Sequence, residues 1–221
     1  MIGSWRLPTP FFFSFNPESL GVEGVTGFVG ILMAVGILIL GLSIIKFIMQ
    51  LPPPSLERVF WKVKVPKRVA FFTWTAAHGQ ILTLDNLMLR GHLLANRCYM
   101  CCSNAESVDH LLLFCPITHS LWMYMLRLFG IDWVMPGSVE ELLFCWFHWL
   151  GKHSSDIWDL VTSCLMWTIW SEWNRRAFED EEKTVVQLLE FSQRTLFDWS
   201  RCWGFSDCST LTDFISSIRI D

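Results

Sequence analysis

The sequence holds no internal repeat and no low-complexity tract, which excludes solenoid arrays and fibrous chains, and only 17% of its 221 residues are charged. It contains no acidic motif of a polymerase site, no endonuclease constellation and no RNase H carboxylate set, and His78 has no nucleophile beside it in sequence. The chain is accordingly expected not to be an enzyme. A secretory signal is also missing: the first 24 residues carry Arg6 against Glu18 and Glu23, where a signal would open on a basic region close to the terminus. The eight cysteines lack the spacing of a disulfide scaffold, since Cys145, Cys164, Cys202 and Cys208 are scattered through apolar helical patterns and read as small core hydrophobes.

What is present is apolar bulk. Hydrophobic residues make up 52% of the chain, with 13 tryptophans, enough for one good-sized core or two small domains and too much for extensive disorder. The net charge of -4 conceals a division. From Leu51 to Cys102, Arg58, Lys62, Lys64, Lys67, Arg68, Arg90 and Arg97 face Glu57 and Asp85, a local excess of +5, whereas the stretch from Ser138 onward sums to -7. An anionic partner would meet the middle of the chain.

Residues 25–45, "VTGFVGILMAVGILILGLSII", carry no charge and are followed by Lys46. At about 1.5 Å per residue this run makes about 31 Å of helix, against a hydrocarbon thickness of about 30 Å, and predicts one transmembrane helix. The basic residues after it place its C-terminal side, and whatever follows, in the cytoplasm by the positive-inside tendency, giving a single-pass membrane protein. "LPPPS" at 51–55 cannot continue a helix and reads as part of a linker over 46–56. The pattern turns helical after Pro66, with Val69, Phe72, Trp74 and Ala76 available for packing and Gly79 as a stop. Thr83 and Gly91 bracket a short helix. Ser138 with Glu141, and Thr184 with Gln187, have capping-box spacing, and Asp156 opens a long helix whose Trp167, Trp170 and Trp173 step by three along one side. Such a stripe is more often a helix contact than a ligand platform.

Between Asn96 and Pro116 the sequence reads "NRCYMCCSNAESVDHLLLFCP", that is C-x2-C-x8-H-x4-C through Cys98, Cys101, His110 and Cys115. Zinc takes four such donors in a tetrahedron: a C-x2-C turn supplies two thiolates from one tight knuckle, and a nearby helix supplies the second pair. Ser107 is placed to cap that helix, and Pro116 to start the next. Spacing leaves alternatives open. Cys102 could stand in for Cys101, His119 could replace His110 or Cys115, and "CYMCC" could be a buried thiol cluster without metal.

The run "FWKVKVPKRVAFFTWTAAHGQILTLDNLMLRGHLLANRCYMCCSNAESVDHLLLFCPITHSLW" resembles the zinc-binding domain that follows the reverse transcriptase in plant LINE-type, non-LTR retrotransposons. The resemblance is carried by Trp61, Pro66, Lys67, Phe71 or Phe72 with Trp74, the Thr83–Leu87 element, Gly91, Cys98, Cys101, Glu106, His110, Leu111, Cys115, Pro116 and Trp122. It implies zinc held by Cys98, Cys101, His110 and Cys115 in a small helical module. The later "WTIWSEWNRRAFED" is similar to the helix after this module in such reading frames, with Trp173 at a place that is usually Arg. The resemblance extends over residues 57 to about 203 and leaves 25–45 unexplained; the transposon's catalytic parts are expected outside this chain. The expected organisation is therefore mainly α: an N-terminal segment 1–24, a transmembrane helix 25–45, a linker 46–56, a zinc-binding domain 57–130 and a helical region 131–221. The expected role is non-catalytic binding of RNA or DNA by the zinc module, with Lys64, Lys67, Arg68 and Arg97 as phosphate contacts and the membrane as a second partner through 25–45. The alternative is a structural retrotransposon remnant with no retained activity.

Overall fold

Proline and glycine set the order of elements in the computed structural model, which describes residues 63–146 and 156–219. Helix α1 (Lys67–Ala77) starts directly after Pro66 and buries Val69, Phe72, Trp74 and Ala76, the four residues its pattern offered for packing. It stops at Gly79, whose φ of 65° a β-carbon would disfavour. Helix α2 (Leu84–Leu89) follows Thr83, and Gly91 at φ 89° turns the chain away. A single π turn (His110–Phe114) leads into α3 (Pro116–Leu128), with proline in its first turn. Then come α4 (Val139–Cys145), α5 (Asp156–Phe178), α6 (Val185–Cys202) and α7 (Leu211–Ile218). Ser138 Oγ accepts the Glu141 N–H at the start of α4, and Thr184 with Gln187 forms a complete reciprocal capping box at the start of α6.

Helix α5 is the axis of this assembly. Along its 23 residues, thirteen from Ile157 to Trp173 are buried on every side, the signature of an interior helix rather than a surface one. It packs against α1, α3, α6 and the π turn, while α7 closes on α6 and α4 lies on α1. Three of its buried polar side chains find partners in the interior: Thr168 Oγ1 donates to the Cys164 carbonyl at 2.9 Å, Thr73 meets Ser163 at 3.4 Å, and the Cys164 thiol donates to the Ser192 carbonyl. Aromatic rings fill much of the rest. Trp146 and Trp158 stack at 4.0 Å with Trp122 edge-on, and Trp170 stacks on Trp173 at 4.7 Å. The tryptophan stripe is a helix contact, since Phe72 of α1 packs on both Trp167 and Trp170.

The expectation of a membrane helix is corrected here. Among the described residues, no helix is long and apolar enough to cross a membrane. The longest, α5, carries Asp156, Asp159, Glu172, Arg175 and Arg176, charges that a hydrocarbon core does not accept at that density. Residues 25–45, where the span was expected, and the linker at 46–56 lie outside the described residues. The fold class that stands is mainly helical with a Cys/His cluster. The transmembrane element has no support, and the single-pass location with the zinc module on the cytoplasmic side is withdrawn with it.

Candidate metal centre

Cys98 and Cys101 sit on a tight turn that precedes a residue in left-handed backbone. The Cys102 N–H returns to the Cys98 carbonyl at 2.9 Å, and Cys102 takes φ 51°, a conformation non-glycine residues rarely adopt. Arg97 Nε donates to the Cys102 carbonyl, and the Cys98 N–H donates to the Asn104 carbonyl, so both flanks of the knuckle are tied.

The second ligand pair comes from the π turn, and proline explains its form. Pro116 forces Cys115 out of helical geometry (ψ 131°) and offers no N–H to the Leu112 carbonyl. The Cys115 N–H instead reaches back five residues to His110 at 2.6 Å. In a regular α-helix, at about 100° per residue, residues five apart would point about 140° away from each other. The five-residue hydrogen bond sets Cys115 over His110 and brings both side chains to one face. The carbonyls left over are satisfied by side chains: Thr118 Oγ1 donates to Leu111 and Trp122 Nε1 to Leu112, each at 2.8 Å. Ser107 caps the approach by accepting the His110 N–H at 3.1 Å.

Together these turns place the ligand atoms of Cys98, Cys101, His110 and Cys115 within 4.8 Å of one another. Cys98 and Cys115 are buried, while Cys101 and His110 are half-buried. Cys101 Sγ lies 3.4 Å from His110 Nε2. A zinc tetrahedron with bonds of about 2.3 Å to sulfur and about 2.0 Å to nitrogen has S···N edges of about 3.5 Å and S···S edges of about 3.8 Å, so the donor set and its spread fit zinc. Cys102 and His119 are both exposed and outside the group.

The electrostatics suit a cation. The hydrogen bond with Cys98, assisted by the backbone N–H groups of Ile117 and Thr118 at the start of α3, holds the Cys115 thiol down to about 5 against the opposing effect of burial. Sharing a proton with Cys115, and burial after that, push the Cys98 thiol up. A dication in the middle would replace that proton.

Of the expected nucleic-acid contacts, Lys64, Lys67 and Arg68 gather around the start of α1, and Arg97 sits apart before the knuckle; all four are exposed. Lys64 stands 5.0 Å over the Phe205 ring, Arg68 stands 5.4 Å over Trp167, and Arg97 is the knuckle tie already described.

Sequence reasoning assigned no role to Glu106. It is 1% exposed, and its carboxylate accepts the Leu84 N–H at 2.9 Å, the Tyr99 N–H at 3.2 Å and Trp173 Nε1 at 2.8 Å. Thr83, the expected cap of α2, makes no cap hydrogen bond; Glu106 supplies it from 22 residues away. The signal available beforehand was a lone acid between knuckle and helix, with a tryptophan at the later position that is usually arginine.

Comparison with known proteins agrees with this geometry. Residues 46–122 match the family model described as zinc-binding in reverse transcriptase, a stretch that holds all four donors, so the chain carries a zinc-binding segment of the reverse-transcriptase type. A protein of Arabidopsis thaliana named "Putative ribonuclease H protein" is 28% identical over 128 residues, which is 55% of this chain. The chain spans only 20% of that relative's length. No solved structure matches.

Proposed function

We propose that this chain is a non-catalytic, zinc-stabilised accessory module that binds RNA or DNA and descends from the reverse-transcriptase protein of a plant LINE-type retrotransposon. The observation that carries the non-catalytic part is the closed donor set: three thiols and one imidazole fill a tetrahedral zinc, leaving no position for an activated water. The nucleic-acid part is supported by the exposed Lys64, Lys67 and Arg68 at the start of α1, where the helix dipole adds to their charge. Zinc contributes folding, and the basic side chains contribute phosphate contacts without base reading.

The test is binding of the full-length zinc-loaded chain to a mixed-sequence single-stranded oligonucleotide across a salt series. Binding should weaken as salt rises. Replacing Lys64, Lys67 and Arg68 together by Ala should lower affinity and reduce the salt slope by about 2, since each lost phosphate contact removes about 0.7 for a single strand. Unchanged binding in the triple variant would move the contact surface elsewhere. A second reading, a structural remnant without activity, has one observation in its favour: Lys64, Arg68 and Arg97 each already engage a ring or carbonyl of the chain itself. Absence of binding at low salt would select it.

A further inference from the structure

Cys98 and Cys101 are separated by two residues, one held by α5 directly and the other through Glu106. The Tyr99 N–H donates to Glu106 Oε2, the oxygen that also takes Trp173 Nε1. The Met100 carbonyl accepts from Arg176 Nη1 at 2.9 Å. Arg176 is itself fully committed: Nε donates to Glu172 Oε1 at 2.8 Å, Nη2 donates to the Lys183 carbonyl at 3.0 Å, and its side chain is 8% exposed. Glu172 in turn accepts the Lys183 N–H at 2.7 Å, so the chain beyond α5 is locked to the same cluster. The Tyr99 ring meets Trp173 edge-on at 5.8 Å. None of Glu172, Trp173, Arg176 and Lys183 lies within the matched stretch 46–122.

We propose that Trp173 and Arg176 are positioning residues of the metal centre, Trp173 acting through Glu106 and Arg176 through the Met100 carbonyl, so that the metal-binding unit extends from the knuckle through α5. A C-x2-C turn must hold its two thiolates at a fixed separation, and the peptide groups between them decide that separation. Here the first of the three peptide groups between the cysteines is gripped at its N–H by Glu106, whose same oxygen takes Trp173 Nε1, and the last at its carbonyl by Arg176, and both Trp173 and Arg176 stand on a helix whose other faces are interior. Without those grips the metal would have to order the peptide groups between the two cysteines, only the flanks of the turn being tied by Arg97 and Asn104, and the metal would leave more readily. Val139 adds a tie of the same kind on the other ligand pair, its N–H donating at 2.9 Å to Asp109, the neighbour of His110. The inference rests on the zinc reading and stands whether or not the chain binds nucleic acid.

The experiment uses the full chain loaded with zinc and follows transfer of the metal to a chromophoric chelator, with the absorption spectrum of the cobalt-substituted protein as a second readout. Arg176→Met should release zinc about tenfold faster or more, the range found when outer partners of metal ligands are removed. Trp173→Phe, which keeps the ring and loses the N–H, should show a smaller acceleration and a changed cobalt spectrum. Arg176→Lys, which keeps a donor, should restore part of the loss, and it carries the test if Arg176→Met fails to fold. Leu196→Ala on α6, a fully buried site whose loss weakens the helical core, is the control. Release from Arg176→Met or Trp173→Phe no faster than from wild type, or no faster than from Leu196→Ala at equal loss of urea stability, would overturn the proposal.

Discussion

Between Met88 and Ala105 the chain turns most of its apolar side chains outward, Leu89 being 84% and Leu93 101% exposed and Met100 an exception, whereas between Ile157 and Trp173 it buries thirteen residues. The two stretches are of similar length and solve the entropy cost of ordering by different means. The later one uses area: interior side chains contribute roughly 1.5–3 kcal/mol each on burial. The earlier one has little area to offer and relies on point contacts, namely the metal, the Glu106 carboxylate, Arg97 on the Cys102 carbonyl and Arg176 on the Met100 carbonyl. Point contacts are directional and few, so losing one matters more locally and less globally than losing a core side chain.

Removing the metal should break the contrast most severely. Structural zinc binding is worth on the order of 10 kcal/mol, and in this chain it acts where burial is scarcest. After chelation, amide exchange should rise steeply across 96–114 while α5 and α6 keep their protection. Cys101→Ser should abolish stoichiometric zinc in metal analysis, and Cys102→Ser, at an exposed position outside the cluster, should retain it. A chelated chain whose knuckle amides stay protected would show that the tethers from α5 suffice without metal.

Much of this division is legible in the sequence, and the failures have physical causes. Pro66, Gly79 and the Thr184/Gln187 box mark element ends because their effects are local to a few residues, and the structure follows them. The four donors are also legible, because ligand spacing is a local pattern. Spacing alone cannot separate Cys101 from Cys102; the left-handed turn at Cys102 does, by directing its neighbour into the cluster. The π turn was not legible, since it depends on Pro116 denying the Leu112 carbonyl a partner and on Trp122 supplying one ten residues away. Glu106, Trp173 and Arg176 escaped for the same reason. Their partners are 67 and 76 positions distant, and no window along the chain contains both ends. The membrane expectation had a different origin: it was drawn from 25–45 by hydropathy and length, and no described helix supplies such a span.

The next effect belongs to the core. Trp158 is 1% exposed, stacks on Trp146 and meets Phe129 edge-on at 4.9 Å. Trp158→Ala should cost about 3–5 kcal/mol in urea unfolding, the range for deleting a large buried aromatic. It should leave the zinc release rate of the surviving folded protein near wild type, because Trp158 packs on core rings, Trp146 and Phe129, whereas Trp173 and Arg176 bear on the knuckle itself. Equal damage to metal retention would erase the distinction between area and point contact.

The smallest expected effect is a pH dependence centred on Glu106, where the two regions meet. Burial pushes this carboxyl above its ordinary value of 4.5, outweighing the N–H groups of Leu84, Trp173 and Tyr99 that favour the anion. A group whose folded value is raised stabilises the fold fully below its unfolded value, and that contribution is lost as pH rises through the folded one. As pH rises above the ordinary carboxyl value of 4.5, wild-type stability should therefore fall relative to Glu106→Gln, which cannot titrate, even though the amide makes the variant weaker at every pH by presenting an NH2 to donors. Parallel curves would mean that the three N–H donors fully offset burial. Trp173→Arg sharpens the test, because a guanidinium in place of the indole puts a cation beside this buried carboxylate, which has no ion pair among the described residues. Its opposite charge should draw the Glu106 carboxyl back down and remove the slope, leaving a knuckle tied to α5 by an ion pair instead of a neutral donor.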